Sequence, residues 1–142
     1  MSTHLVPALD LGWLVLETSD TPNHVGALMI FERPGNAGPT YMRDLTDHLR
    51  SADALVKPWN LHLRKGLMSG LMPMLDTSGT PDMEYHVRRL ALPQPGGERE
   101  LGELVSRLHA NALDLRRPMW ECHVIEGLED NRFALFIKIH HV

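Results

Sequence analysis

Two adjacent histidines near the end of the chain, His140 and His141, are the strongest candidates for catalytic residues, because they end a strongly apolar run. The imidazole of histidine has an unperturbed pKa of about 6.5, so its neutral form can accept a proton near neutral pH. A positioned base of this kind typically raises a rate by about 10²–10⁴-fold. The pair therefore indicates proton transfer, such as the removal of a proton from a hydroxyl group.

The two histidines are predicted to have different roles, because we expect a strand from Arg132 to His141. Successive side chains of a strand point to opposite faces. His141 would share its face with Ile139, and His140 would share the other face with Lys138. Opposite faces do not allow both imidazoles to bind one metal ion, and the other histidines lack the spacing of a helical ligand pair. We therefore expect no metal site.

Composition narrows the class of protein and its compartment. The net charge of −4 over 142 residues argues against a nucleic-acid-binding protein. Cys122 is the only cysteine, so no intrachain disulfide can form and a reducing, cytoplasmic location is favoured. Met1 to Asp10 does not resemble a signal peptide, and no apolar run approaches the roughly 20 residues that span a bilayer. We expect a protein that is soluble or attached peripherally to a membrane.

Hydrophobic periodicity and turn residues predict alternating helices and strands. The predicted helices are Pro7–Glu17, a helix after Thr40 as N-cap with Met42, Leu45, Leu49 and Ala52 on one face, and Glu98–Leu113. The predicted strands are Val25–Phe31, Met83–Leu90, Trp120–Ile125 and Arg132–His141. The turn Glu126–Asn131 would join the last two as a hairpin, whereas Lys57–Pro81 indicates a short helix and apolar loops. The pattern is that of an α/β (α+β) fold.

Several short motifs occur in an order that resembles the wax ester synthase/diacylglycerol acyltransferase family. Pro118-Met119-Trp120 matches the Pro-Leu-Trp motif of that family, with a volume-conserving methionine. His140-His141-Val142 supplies the first three positions of its HHxxxDG motif. Pro22-Asn23-His24-Val25-Gly26 resembles the family's Pro-Met-His-Val-Gly strand entry. Leu9-Asp10, Trp13-Leu14, 82–87 and 95–98 also follow in the expected order.

The resemblance implies a fold and an activity. The fold would be the first half of a chloramphenicol-acetyltransferase-like CoA-dependent acyltransferase, with residues 1–142 as an N-terminal subdomain that ends within HHxxxDG. A C-terminal half would complete a tunnel around the active histidine. The activity would be transfer of a fatty acyl group from acyl-CoA to a long-chain alcohol or diacylglycerol, giving wax ester or triacylglycerol. Acyl-CoA is then a substrate and no cofactor is implied.

The same resemblance assigns roles to residues. His141 would be the general base and His140 a supporting residue, while Trp120, Pro118 and Met119 are candidate substrate-binding residues. Contact with a membrane or with lipid inclusions would also fit this function. Cys122, without a base beside it, is predicted to be a buried apolar residue rather than a nucleophile.

Two alternatives to this function remain open. One is a condensation-domain-like enzyme that forms amides from carrier-bound substrates, which shares the double histidine. The other is a binding module that keeps the fold without activity. The position of Pro118-Met119-Trp120 before the histidines favours the O-acyltransferase. Aspartate and glycine at the fourth and fifth positions after His141 would favour an active enzyme over the binding module. His24 and His86 are predicted to be structural, and the Met/Leu-rich stretch Leu67–Leu75 to pack or to line an acyl channel.

Overall fold

The two apolar segments around residues 120 and 140 form the middle of a four-stranded sheet. The computed structural model describes residues 3–18, 20–52, 55–64, 73–77 and 79–141. Its strands are β1 Thr3–Leu5, β2 His24–Glu32, β3 His62–Leu63, β4 Met74–Asp76, β5 Val87–Ala91, β6 Trp120–Leu128 and β7 Arg132–His140. Its helices are α1 Ala8–Leu16, α2 Tyr41–Arg50, α3 Met83–His86 and α4 Glu98–Ala110.

The main sheet has the strand order β2-β7-β6-β5. β2 and β6 flank β7 in antiparallel register, whereas β5 runs parallel to β6. A second, smaller sheet has the order β1-β4-β3 and is antiparallel throughout. The mixed α+β class predicted from the sequence is confirmed.

Two hydrophobic clusters cover the two faces of the main sheet. On one face α2 contributes Met42 to a cluster that also contains Val87, Trp120, Cys122, Val124 and Phe133. On the other face α4 contributes Leu101 to a cluster with Leu92, Ile125, Leu128, Ala134 and Phe136. Full burial of an aliphatic or phenyl side chain stabilises a fold by about 1.5–3 kcal/mol, so these clusters fix which way each strand faces.

The hairpin of β6 and β7 is confirmed, although its turn comes later than the sequence indicated. Asp130 and Asn131 both have positive φ angles, 59° and 54°, as a two-residue type I′ turn requires. Residues 126–128, predicted as part of the turn, belong to β6 instead. The register of β6 against β7 shifts between Ile125 and Leu128. Such a bulge increases the local twist of the strand.

Two other predicted boundaries were wrong. Met83–His86, predicted as part of a strand, forms one helical turn because the Asp82 carboxylate accepts a hydrogen bond from the Tyr85 N–H at 3.2 Å. The helix predicted for Glu98–Leu113 ends at Ala110. Thr40 is the N-cap of α2 as predicted, although its hydroxyl donates to the Asp44 carboxylate at 2.7 Å instead of accepting from the backbone.

The region Lys57–Pro81 is described only in part. It contributes the short strands β3 and β4, where the sequence indicated a short helix and loops. Residues 65–72 and 78 lie outside the described residues, and with them most of the Met/Leu-rich stretch Leu67–Leu75.

A glycine in the loop before α4 gives a test of this packing. Gly96 has a φ of +78°, and a Cβ atom there would lie 1.9 Å from the Gly127 carbonyl oxygen. We expect Gly96→Ala to lower the free energy of unfolding by about 1–3 kcal/mol, the usual cost of a strained backbone. Gly102→Ala in α4 is the matched control, since nothing lies within 4 Å of its new Cβ. It should stabilise by about 0.5–1 kcal/mol. Urea unfolding would measure both, and an unchanged midpoint for Gly96→Ala would contradict the loop geometry.

Candidate functional site

The two histidines at the end of β7 lie in different environments. The face alternation predicted for them does not reach His141, because the strand is one residue shorter than expected. His140 is its last residue and is buried, whereas His141 follows it and is exposed. The His141 ring stacks on the indole of Trp13 in α1, with ring centroids 5.1 Å apart and planes 14° from parallel. One imidazole is therefore enclosed, and the other is open to a reactant.

His140 is fixed through both its ring and its backbone. Its Nε2 lies 2.6 Å from Oε2 of Glu17, the residue that follows α1, and both side chains are buried. Its backbone N–H donates to the Met119 carbonyl at 3.0 Å. A hydrogen bond between an imidazole and a carboxylate also fixes the ring orientation. His140 is thus held from two sides.

The segment Pro118-Met119-Trp120 lies directly beside the double histidine. Trp120 is opposite Ile139 in the β6–β7 ladder, and its indole N–H donates to the Trp59 carbonyl at 2.6 Å. Met119 and Trp120 are buried and Pro118 is half-buried. The substrate contact predicted for these three residues stays a prediction, since their described contacts are those of a packed core.

A lysine is buried on the same face of the sheet as His140. Lys138 Nζ donates to the carbonyls of Leu108 at 2.8 Å and Asn111 at 2.6 Å, at the C-terminal end of α4. The exposed carbonyls of a helix C-terminus carry partial negative charge and favour a cation. Burial lowers the pKa of Lys138, and the nearby Glu121 carboxylate opposes that shift. The ammonium therefore ties α4 to β7, two residues before His140.

The Glu121 carboxylate balances the charge of this buried cation and also contacts His123 and Arg88. Its Oε2 lies 3.7 Å from Lys138 Nζ and accepts from His123 Nε2 at 3.1 Å, and its Oε1 lies 3.8 Å from Arg88. Burial alone would raise the pKa of Glu121. The hydrogen bond from His123 and the charges of Lys138 and Arg88 outweigh it and lower that pKa. The sequence reasoning missed this cluster, although a lysine within an apolar strand was a signal for it.

His24 and His86 are buried, as expected for structural histidines. The His24 ring N–H donates to the His109 carbonyl at 2.8 Å, and the His86 Nδ1–H donates to the Trp120 carbonyl at 2.8 Å. His86 also stacks on the Trp120 indole at 4.7 Å. Burial lowers the pKa of both imidazoles. They support the strands that lead to the site.

Close packing around Gly26 explains why the motif at residues 22–26 ends in a glycine. It pairs with Lys138 in the β2–β7 ladder, and a Cβ atom there would lie 2.9 Å from the Phe136 ring and 3.1 Å from His109. The space beneath α4 is thus filled by neighbouring side chains. A glycine lets β2 carry His24 next to His140, its partner in the ladder.

The described side chains around the end of β7 differ in the chemistry available to them. Burial raises the pKa of the Cys122 thiol to about 11, so it is not a thiolate at neutral pH. Within the described ranges, no group of three or more His, Cys, Asp and Glu side chains could hold a metal ion. None of the helices in the described part of the chain has the length and apolar character needed to cross a bilayer. The exposed His141 imidazole can accept a proton in its neutral form, as any exposed histidine can.

The chain resembles acyltransferases in sequence and in structure. Residues 6–142 match the family model of the wax ester synthase/diacylglycerol acyltransferase catalytic domain. A putative diacylglycerol O-acyltransferase of Mycobacterium tuberculosis is 50% identical over 133 residues, 93% of this chain and 27% of that protein. The O-acyltransferase WSD of Acinetobacter baylyi is 40% identical over 134 residues, 94% of this chain and 28% of that protein. The chain thus spans little more than a quarter of these relatives.

Two solved structures show the same fold. The wax ester synthase/diacylglycerol acyltransferase of Marinobacter aquaeolei superposes with a TM-score of 0.89 and 40% identity, over 97% of this chain and 33% of that one. The first condensation domain of the calcium-dependent antibiotic synthetase superposes with a TM-score of 0.71 and 16% identity, over 100% of this chain and 33% of that one. The second likeness shows the fold alone.

The buried histidines predict that acid destabilises the fold. Because burial lowers the pKa of His24 and His86, the unfolded chain binds protons below about pH 6.5 that the folded chain does not bind. The free energy of unfolding should therefore fall as the pH drops below that value, by at most about 1.4 kcal/mol per pH unit for each histidine.

Replacing His86 should reduce this pH dependence. We expect His86→Gln to give a shallower fall in the free energy of unfolding between about pH 6.5 and 5, because one buried titrating group is gone. His48→Gln, at an exposed position of α2, is the control and should leave the slope unchanged. Urea unfolding at each pH measures the slope. Parallel curves for His86→Gln and the unaltered protein would contradict the assignment, and His24→Gln provides a second variant.

Proposed function

Because the chain belongs to the wax ester synthase/diacylglycerol acyltransferase family, we propose that its protein transfers a fatty acyl group from acyl-CoA to a hydroxyl. The acceptor is a long-chain alcohol or a diacylglycerol, and the product is a wax ester or a triacylglycerol. The observation that carries the proposal is the exposed His141 imidazole at the end of β7, beside Pro118-Met119-Trp120. The names of the relatives support the same activity.

His141 acts as the general base in this reaction. An alcohol is a weak nucleophile at neutral pH, so removal of its proton as the C–O bond forms lowers the barrier to attack on the thioester. The C–S bond then breaks, and CoA leaves as a thiolate. The imidazolium returns its proton to that sulfur, which leaves His141 neutral for the next turnover. The alcohol attacks the thioester directly, and the buried Cys122 takes no part.

His140 supports the base without touching the reactants. Its ring is engaged by Glu17 and its backbone by Met119, so it fixes the peptide that precedes His141. Aspartate and glycine at the fourth and fifth positions after His141 would complete HHxxxDG, with the aspartate orienting the loop. Trp120, Pro118 and Met119 line or support the substrate tunnel.

The remainder of the protein closes the site in this proposal. The edge strand β2 carries exposed apolar side chains on both faces: Val25, Met29 and Phe31 on one and Leu28 and Ile30 on the other, each 36–45% exposed. A sheet edge with exposed apolar side chains and unpaired backbone groups is suited to pairing with a further segment of protein. A C-terminal half of similar fold covers the site, and acyl-CoA enters the tunnel between the halves without a further cofactor. The protein works in the cytoplasm, in peripheral contact with membranes or lipid inclusions.

The condensation-domain reading is the weaker alternative. Identity with the O-acyltransferases is far higher than with the condensation domain, which favours ester formation over amide formation. An inactive binding module would not need an exposed imidazole at the end of β7.

The experiment that tests the proposal uses the complete protein with palmitoyl-CoA and hexadecanol, and follows the release of free thiol. We expect His141→Ala to lower kcat by at least about 100-fold, the lower end of general-base contributions. His140→Ala should leave a measurable remnant, because it removes support rather than the base. His48→Ala at an exposed position is the control. Equal loss in the two histidine variants would show that the roles are misassigned.

A further inference from the structure

Helix α1 and the residue that follows it contact both histidines of the site, through two side chains four positions apart. Trp13 stacks on the His141 ring, and Glu17 accepts from the His140 ring. The second contact joins residues 123 positions apart in the sequence. β7 ends at His140, so the strand does not hold the His141 ring. α1 and its C-cap residue Glu17 reach both rings.

The contact with Trp13 matters because His141 lies beyond the last residue of β7. An exposed side chain samples several rotamers, whereas proton transfer requires the base within hydrogen-bond reach of the hydroxyl. A stack 14° from parallel restricts the plane of the imidazole while leaving its ring edge open. Stacking between aromatic rings favours one rotamer over the others.

The contact with Glu17 fixes the neighbouring residue. The carboxylate and the His140 imidazole are both buried, 2.6 Å apart. Removing one partner of a buried pair leaves the other in an unfavourable environment, so the pair resists rearrangement. Because His140 and His141 share a peptide bond, a shift of the His140 backbone would displace the catalytic ring.

α1 is itself anchored to the sheet next to these contacts. The Asn23 side chain donates to the Trp13 carbonyl at 2.8 Å, just before β2 begins. β2 pairs with β7 so that His24 lies opposite His140. These contacts fix the position of Trp13 relative to β7. Leu11 and Leu14 of the same helix are half-buried.

We propose that Trp13 and Glu17 are positioning residues, which orient the catalytic imidazole of His141 directly and through His140. This inference rests on the proposed acyl transfer. It gives the 9-residue helix α1 a function in catalysis in addition to packing. Trp13 acts on the ring of the base, and Glu17 acts on the backbone that carries it.

The test of Trp13 uses steady-state thiol release by the complete protein. We expect Trp13→Leu to lower kcat about tenfold, with little change in KM for palmitoyl-CoA or in the unfolding temperature, because the base spends less time in reach of the hydroxyl. Trp13→Phe, which keeps a ring to stack on, should recover most of kcat. Leu9→Ala is the control, because Leu9 is 86% exposed on the same helix. A kcat for Trp13→Leu equal to that of the unaltered protein would overturn the inference. So would a loss that Trp13→Phe does not recover.

The test of Glu17 is a double-mutant cycle on kcat. If Glu17 acts through His140, Glu17→Gln should lower kcat in the unaltered protein and have little further effect in a His140→Ala background. Multiplying losses would show that Glu17 acts independently and would overturn its role. Absence of thiol release by the unaltered protein would instead refute the proposed acyl transfer. Activity that is insensitive to substitution of both Trp13 and Glu17 would refute the positioning role alone.

Discussion

The antiparallel pairing of β6 with β7 is the constraint on which the site depends. The hydrogen bond from the His140 N–H to the Met119 carbonyl, at 3.0 Å, continues this pairing beyond the Trp120–Ile139 pair. A shift of one residue would exchange the faces of every side chain in the strand. His140 would then lose Glu17, and Lys138 would lose the carbonyls of α4. The register therefore decides which imidazole is buried and which is open.

A buried cation reinforces that register. A lysine with no exposed side-chain surface is unfavourable unless its donors are satisfied and its charge is balanced. Carbonyls at the end of α4 and the Glu121 carboxylate meet both needs for Lys138. The same residues would not satisfy it in another register. The polar cluster thus specifies the pairing that the hydrophobic clusters stabilise.

Much of the fold followed from local patterns, whereas the site depended on long-range contacts. The apolar periodicity of α4 and the alternation in β7 predicted their faces, because each pattern is contained within one element. The single turn of α3 was missed because the Asp82 side chain, rather than any periodicity, begins it. The contacts of Trp13 and Glu17 join α1 to the far end of the chain, and a local pattern contains no information on such pairs. The order of the two family motifs indicated the candidate base, and the geometry then separated the two histidines.

The central claim is that the His141 imidazole removes the proton from the acceptor hydroxyl. The pH dependence of thiol release by the complete protein tests it most directly. A base that must be neutral gives a kcat/KM that falls about tenfold per pH unit on the acid side of a single ionisation. We expect this fall in kcat/KM on the acid side for the unaltered protein. The fall should be absent from the residual activity of His141→Ala. A kcat/KM that stays constant from about pH 5 to 8, with the fold intact over that range, would contradict the account.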